Sequence, residues 1–96
     1  MKLLLNIEID TQTGNKLIAE GKIDEVLGGL LNSLKPEASY FYARNGRRAF
    51  TIVVDIPDMT HLPSVAEPFW IQMGASVEAI PVMTRDDLDA GLSRLG

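Results

Sequence analysis

Between Lys2 and Asp10 the chain alternates, with Leu3, Leu5, Ile7 and Ile9 pointing one way and Leu4, Asn6, Glu8 and Asp10 the other. This period of two predicts a strand with two unlike faces. The period then changes. Ile23, Val26, Leu27, Leu30, Leu31 and Leu34 fall on one helical stripe, and Pro36 ends the helix. Leu17 and Ile18 lie off that stripe, so a short separate helical turn is expected before Gly21. Gly28 and Gly29 sit on the far side of the main helix, either allowing another backbone to approach closely or being tolerated on a solvated face.

The segment "ASYFYARNGRRAFTIVVDI" contains two β-rich runs joined by Asn45-Gly46, the pair that best supplies the positive φ angles of a type I′ hairpin. A two-residue turn also sets the register. Arg44 should pair with Arg47, Tyr42 with Ala49, Phe41 with Phe50 and Tyr40 with Thr51. Phe41, Ala43, Phe50, Ile52, Val54 and Ile56 then share one face and Tyr40, Tyr42, Arg44, Ala49, Thr51 and Val53 the other; a bulged loop would shift this by one.

Residues 60 to 73 predict a second helix with Leu62, Val65, Ala66, Phe69 and Met73 on its stripe. Pro63 suits its first turn, whereas Pro68 has no N–H for the Ser64 carbonyl and should kink or split it. Ser76 to Met83 alternate again as a fourth strand, and Pro81 places it at an edge or a bulge. Thr84 and Asp87 resemble a capping box ahead of a short C-terminal helix with Leu88, Leu92 and Leu95 on a narrow stripe. Strand, helix, strand, strand, helix, strand is the ferredoxin-like βαββαβ order. It implies an α+β fold: a four-stranded antiparallel sheet with two helices on one face, plus the short terminal helix.

The far face of such a sheet carries Leu4, Asn6, Glu8, Tyr40, Tyr42, Thr51, Val53, Glu78, Ile80 and Val82. Leaving its apolar and aromatic members wet would forgo on the order of 10 kcal/mol of burial. So large a patch is unusual on a monomer. A second copy is expected to cover it, giving a homodimer whose two sheets enclose a pocket kept open by Asn6, Glu8, Thr51 and Glu78.

Length and composition narrow the remaining choices. Ninety-six residues make one domain, residues 1-96, with a modest core. With no cysteine, disulfides, thiolate metal sites and a cysteine nucleophile are all excluded, in keeping with a cytoplasmic protein. The opening "MKLLLNIEID" is too quickly charged for a signal peptide. The longest uncharged stretch, Pro68 to Val77, is 10 residues, well short of the roughly 20 a membrane helix needs. A net charge of −4 argues against nucleic acid and anionic membranes as partners.

With these elements in place, "EGKIDEVL" and "AEPFWIQMGASVEAIPVMT" resemble the small dimeric α+β barrel proteins, and loosely their muconolactone-isomerase-like branch. That branch has a comparable Gly-Lys before its first main helix, and a Pro-Phe-rich second helix leading into a last strand of the Val-Glu-x-x-Pro type. The "LKPEA" and "PVMT" flanks are more similar to uncharacterised bacterial members of the superfamily. The resemblance implies the barrel dimer. It leaves the chemistry open among isomerases, cofactor-independent oxygenases, haem-degrading enzymes and proteins without known activity.

Glu8 and Glu78 come from strands expected to be neighbours, and both face the presumed pocket. Two carboxylates in a partly desolvated cavity can serve as an acid and base pair, or be solvated or ion-paired residues. Tyr40 and Tyr42, with Asn6 and Thr51, could orient a substrate carbonyl or carboxylate, or could pack across the dimer. Trp70 reads as an apolar anchor or a ligand-stacking residue, and His61 as a polar cap neighbour, a base or a haem ligand. Nine positions apart, the two project from opposite sides of a regular helix and do not form a pair. Arg44, Arg47 and Arg48 cluster at the hairpin tip, either solvated or steering an anionic ligand.

RNA binding is the rival reading for aromatics on an open sheet, but the register turns Phe50 toward the helices and leaves Ala49 and Thr51 outside. Phosphate-binding, dinucleotide-binding, serine-hydrolase and His-Glu-x-x-His zinc motifs are absent. The expectation is therefore a barrel cavity that takes a small aromatic or unsaturated compound without a cofactor, as an isomerase or oxygenase. The alternative is a non-catalytic ligand-sensing or protein-interaction dimer.

Overall fold

A computed structural model describes all 96 residues. The chain order is β1 (Lys2–Glu8), α1 (Thr11–Ala19), α2 (Ile23–Leu34), β2 (Ala38–Arg44), β3 (Arg47–Asp55), α3 (Leu62–Met73), β4 (Ser76–Val82) and α4 (Arg85–Ser93), with a 3-10 turn at Met59–His61 leading into α3. The fold is α+β: one antiparallel four-stranded sheet in the order β2-β3-β1-β4, with four helices.

The hairpin register is the one its turn demands. Asn45 and Gly46 both have positive φ, 54° and 74°. Arg44 pairs with Arg47, Tyr42 with Ala49, Phe41 with Phe50 and Tyr40 with Thr51. The alternation along β1 is equally faithful, because Leu3, Leu5, Ile7 and Ile9 are buried while Leu4, Asn6 and Glu8 are only partly covered. These inward residues form the core with Phe50, Ile52, Val54 and Ile56 and with Val65, Phe69 and Met73 of α3. Ile23, Val26, Leu27, Leu31 and Leu34 of α2 pack against it. Helices α2 and α3 thus cover one face of the sheet and leave the other open.

Two local expectations need correction, and two are sharpened. The short turn before Gly21 is instead a nine-residue helix, α1. The Asp10 carboxylate caps its start by accepting from the Thr13 N–H, and Gly14 is buried against the Arg48 side chain. Pro68 does not split α3, which runs continuously from Leu62 to Met73. Ser64, whose carbonyl loses the donor, lies at the solvent side, where water can replace it. Phe41 shares the inward face but stays 55 % exposed, because it borders an open cleft beneath the hairpin. Its ring stacks on Phe50 at a centroid distance of 5.6 Å. Finally, nothing lies within 4 Å of a side chain built at Gly28 or Gly29, so no backbone of this chain approaches them.

At the end of the chain, β4 stops at Val82 and forms a sheet edge, where Pro81 costs no ladder bond. The Thr84 hydroxyl accepts from the Asp87 N–H while the Asp87 carboxylate accepts from the Thr84 N–H, completing the capping box. Helix α4 buries none of its residues, and its leucine stripe faces solvent.

Candidate functional site

The open face of the sheet carries a hydrogen-bonded row that takes one side chain from each strand. Asn6 on β1 stands opposite Thr51 on β3 and opposite Glu78 on β4. The Asn6 amide Nδ2 donates to Glu78 Oε1 at 2.9 Å, and the Thr51 hydroxyl donates to Asn6 Oδ1 at 2.7 Å. Tyr42 on β2 closes the row through a hydroxyl contact with Thr51 Oγ1. The donors have one direction. The carboxylate can only accept, which sets the Asn6 amide; the single Thr51 proton goes to Asn6, so the shared contact is filled by the Tyr42 proton. The row therefore runs from the Tyr42 O–H to the carboxylate of Glu78, leaving Glu78 Oε2 and the lone pairs of the Tyr42 oxygen for another molecule.

Beside the row lies a polar recess of about 110 Å³, lined by Asn6, Glu8, Tyr42, Arg44, Ser76 and Glu78. That volume holds a few water molecules or one small polar group. Both expected carboxylates reach it, but in different company. The register sets Glu8 opposite Ser76 and sets Asn6, rather than Glu8, opposite Glu78. Glu8 instead turns toward Arg47, whose Nη1 lies 3.4 Å from its Oε1. Around the recess the surface is apolar: Leu4, Val53 and Val82 are partly covered, Ile80 is exposed, and Tyr40 is 71 % exposed.

Trp70 and His61 do not join this group. Both belong to the helix layer on the opposite side of the sheet, and both are exposed. His61 Nδ1 lies 3.3 Å from Asp58 Oδ1, beside the turn that opens α3. Asp58 is held below the usual carboxylate range, first by the side-chain and backbone donors of Thr60 and then by His61. This is capping chemistry. Trp70 is a half-exposed ring at the edge of the α3 stripe. No group of three or more His, Cys, Asp or Glu side chains is arranged to hold a metal ion. No helix is long and apolar enough to cross a membrane.

The inward side of the hairpin has a larger opening that the residue pattern did not single out, a cleft of about 540 Å³ between β2–β3 and helices α1 and α2. The signal for it was Phe41, an aromatic on the inward face of the hairpin, opposite Ile23 and Leu27 of α2 across the cleft.

Compared with known proteins, the chain matches no family model and shows no significant similarity to any curated protein.

Proposed function

We propose that the chain forms a homodimeric, ferredoxin-like α+β barrel in which two open sheet faces enclose a small aromatic or unsaturated ligand. One observation carries this reading: the polar row ending on Glu78 is embedded in an apolar surface that nothing in the chain covers. The connectivity supports it, since β3 lies between β1 and β2, β1 lies between β3 and β4, and α2 and α3 lie on one side. Covering the face with a second copy removes the wet apolar patch and desolvates the row. In that setting Glu78 is the proton acceptor toward an enolisable substrate, Tyr42 with Asn6 and Thr51 orient it, and Tyr40 walls the cavity. Glu8, paired with Arg47, holds the rim. This is cofactor-free isomerase chemistry.

A second reading also has an observation behind it. Asn6 and Thr51 are already satisfied within the row and Glu8 is ion-paired, as in a structural contact between copies. The two readings separate in one experiment. Sedimentation velocity gives the assembly, and NMR in D₂O follows deuterium uptake by a β,γ-unsaturated lactone for the parent, Glu78→Gln and Glu8→Gln. Catalysis predicts that Glu78→Gln stays dimeric and loses exchange. A structural face predicts no exchange in the parent and a weakened dimer in the variants. A monomer at micromolar concentration sinks both.

A further inference from the structure

The cleft on the inward side of the hairpin is built differently from the open face. Ile9, Ile23, Leu27, Phe41 and Phe50 give it an apolar wall, and its only charged lining residues are Arg47 and Arg48. No acid lines it, in a chain of net charge −4. Arg47 is committed to Glu8, but Arg48 makes no ion pair anywhere in the chain.

Arg48 is nevertheless held in place. Its Nη2 donates to Asn15 Oδ1 on α1 at 3.0 Å. Its Nη1 lies over Gly14, where an added Cβ would come within 2.8 Å. A buried glycine thus makes room for the guanidinium to lie along α1, and Asn15 fixes its orientation. The remaining N–H donors stay at the mouth of an apolar cleft of about 540 Å³, a size typical of small-molecule sites. A planar guanidinium fork is the group that best matches a carboxylate.

We propose that this cleft is a binding site for an aromatic carboxylate, separate from the open sheet face, with the ring on Phe41 and Phe50 and the carboxylate on Arg48. The exposed Phe41 ring, tilted 31° to Phe50, offers the surface on which such a ring stacks.

The test uses the full chain and two probes with the same apolar body, 2-naphthoate and neutral 2-naphthol, followed by calorimetry and by amide shifts. Naphthoate should bind more tightly than naphthol, with shifts on α1, Phe41 and Arg48 to Phe50 rather than on Asn6, Glu78 and Ile80. Arg48→Gln should weaken naphthoate about tenfold or more and leave naphthol unchanged. Gly14→Ala, which displaces the guanidinium and meets the apolar wall only at the Ile9 methyl 3.4 Å away, should weaken naphthoate in the same sense, with a single cooperative melt to show that the fold is retained. Equal affinity for the two probes, or indifference to both substitutions, overturns the proposal. So do shifts confined to the open face. Cleft amides that move on dilution with no probe present would mean that a second copy fills the cleft, and overturn it as well.

Discussion

The Asn6 side chain bridges two strands, its Nδ2 2.9 Å from Glu78 Oε1 on β4 and its Oδ1 2.7 Å from the Thr51 hydroxyl on β3. Replacing this amide by a carboxylate removes the donor and sets two like charges together. In Asn6→Asp the repulsion raises a carboxyl pKa in the folded state above its unfolded value. The folded chain then holds more protons than the unfolded one, so stability falls as pH rises through the carboxylate range. The variant should lose about 1 kcal/mol relative to the parent at pH 7 and much less at pH 4. Urea melts at the two pH values measure the gap; a gap independent of pH would mean that the two side chains do not meet.

Helix α2 carries two glycines in its interior with open space around each. Gly28→Ala and Gly29→Ala should each stabilise the fold by up to about 1 kcal/mol, because alanine loses less backbone entropy on entering a helix. Thermal denaturation gives the sign. A loss of stability would show that this face of α2 is packed against a neighbour.

Asp10 caps α1, and its carboxyl is held below its ordinary value of 3.8 by the Thr13 backbone N–H and then by the Thr13 hydroxyl. A depressed folded-state pKa stabilises above the unfolded value and is lost as pH falls through the folded one. Fraying of α1 should therefore begin only below pH 3.8. A carboxyl-carbon titration by NMR should find the Asp10 midpoint below that value, with the Thr13 amide shifting in step. A midpoint at or above it would remove the cap.

Phe69 of α3 is fully buried, its ring 5.8 Å from that of Phe50. Phe69→Ala should cost about 3–5 kcal/mol through lost burial and the cavity left between helix and sheet. Chemical denaturation should register the drop. A cost below about 1 kcal/mol would mean that α3 is not seated on the sheet as described.

The open-face residues show how far the sequence reaches toward a site. That Asn6, Tyr42, Thr51 and Glu78 share a face follows from strand alternation, and that Tyr40 stands opposite Thr51 follows from the Asn45-Gly46 turn. The offset between β1 and β4 has no such source. No turn joins those strands, so the residue opposite Glu78 is settled only when both pack onto the same core; it is Asn6, and Glu8 goes to Arg47. His61 and Trp70, prominent as the single His and the single Trp, lie in the helix layer: the α3 stripe of Val65, Ala66, Phe69 and Met73 turns Trp70 outward, and His61 sits in the 3-10 turn that opens the helix.

By itself the sequence determined the elements whose causes are local: the β1 alternation, the two-residue hairpin turn and its register, the capping box at Thr84, and the restriction of Pro81 to an edge or a bulge. Each depends on φ preferences, period or a side chain bonding its own backbone a few residues away. Tertiary structure alone decided the length of α1, the cleft beneath Phe41 and the unpaired placement of Arg48. These depend on how closely α1 and α2 approach the inward face of the hairpin and on Gly14 meeting a side chain from a strand distant in the chain. Contacts between remote segments are set by packing one layer on another, and no local preference encodes that distance.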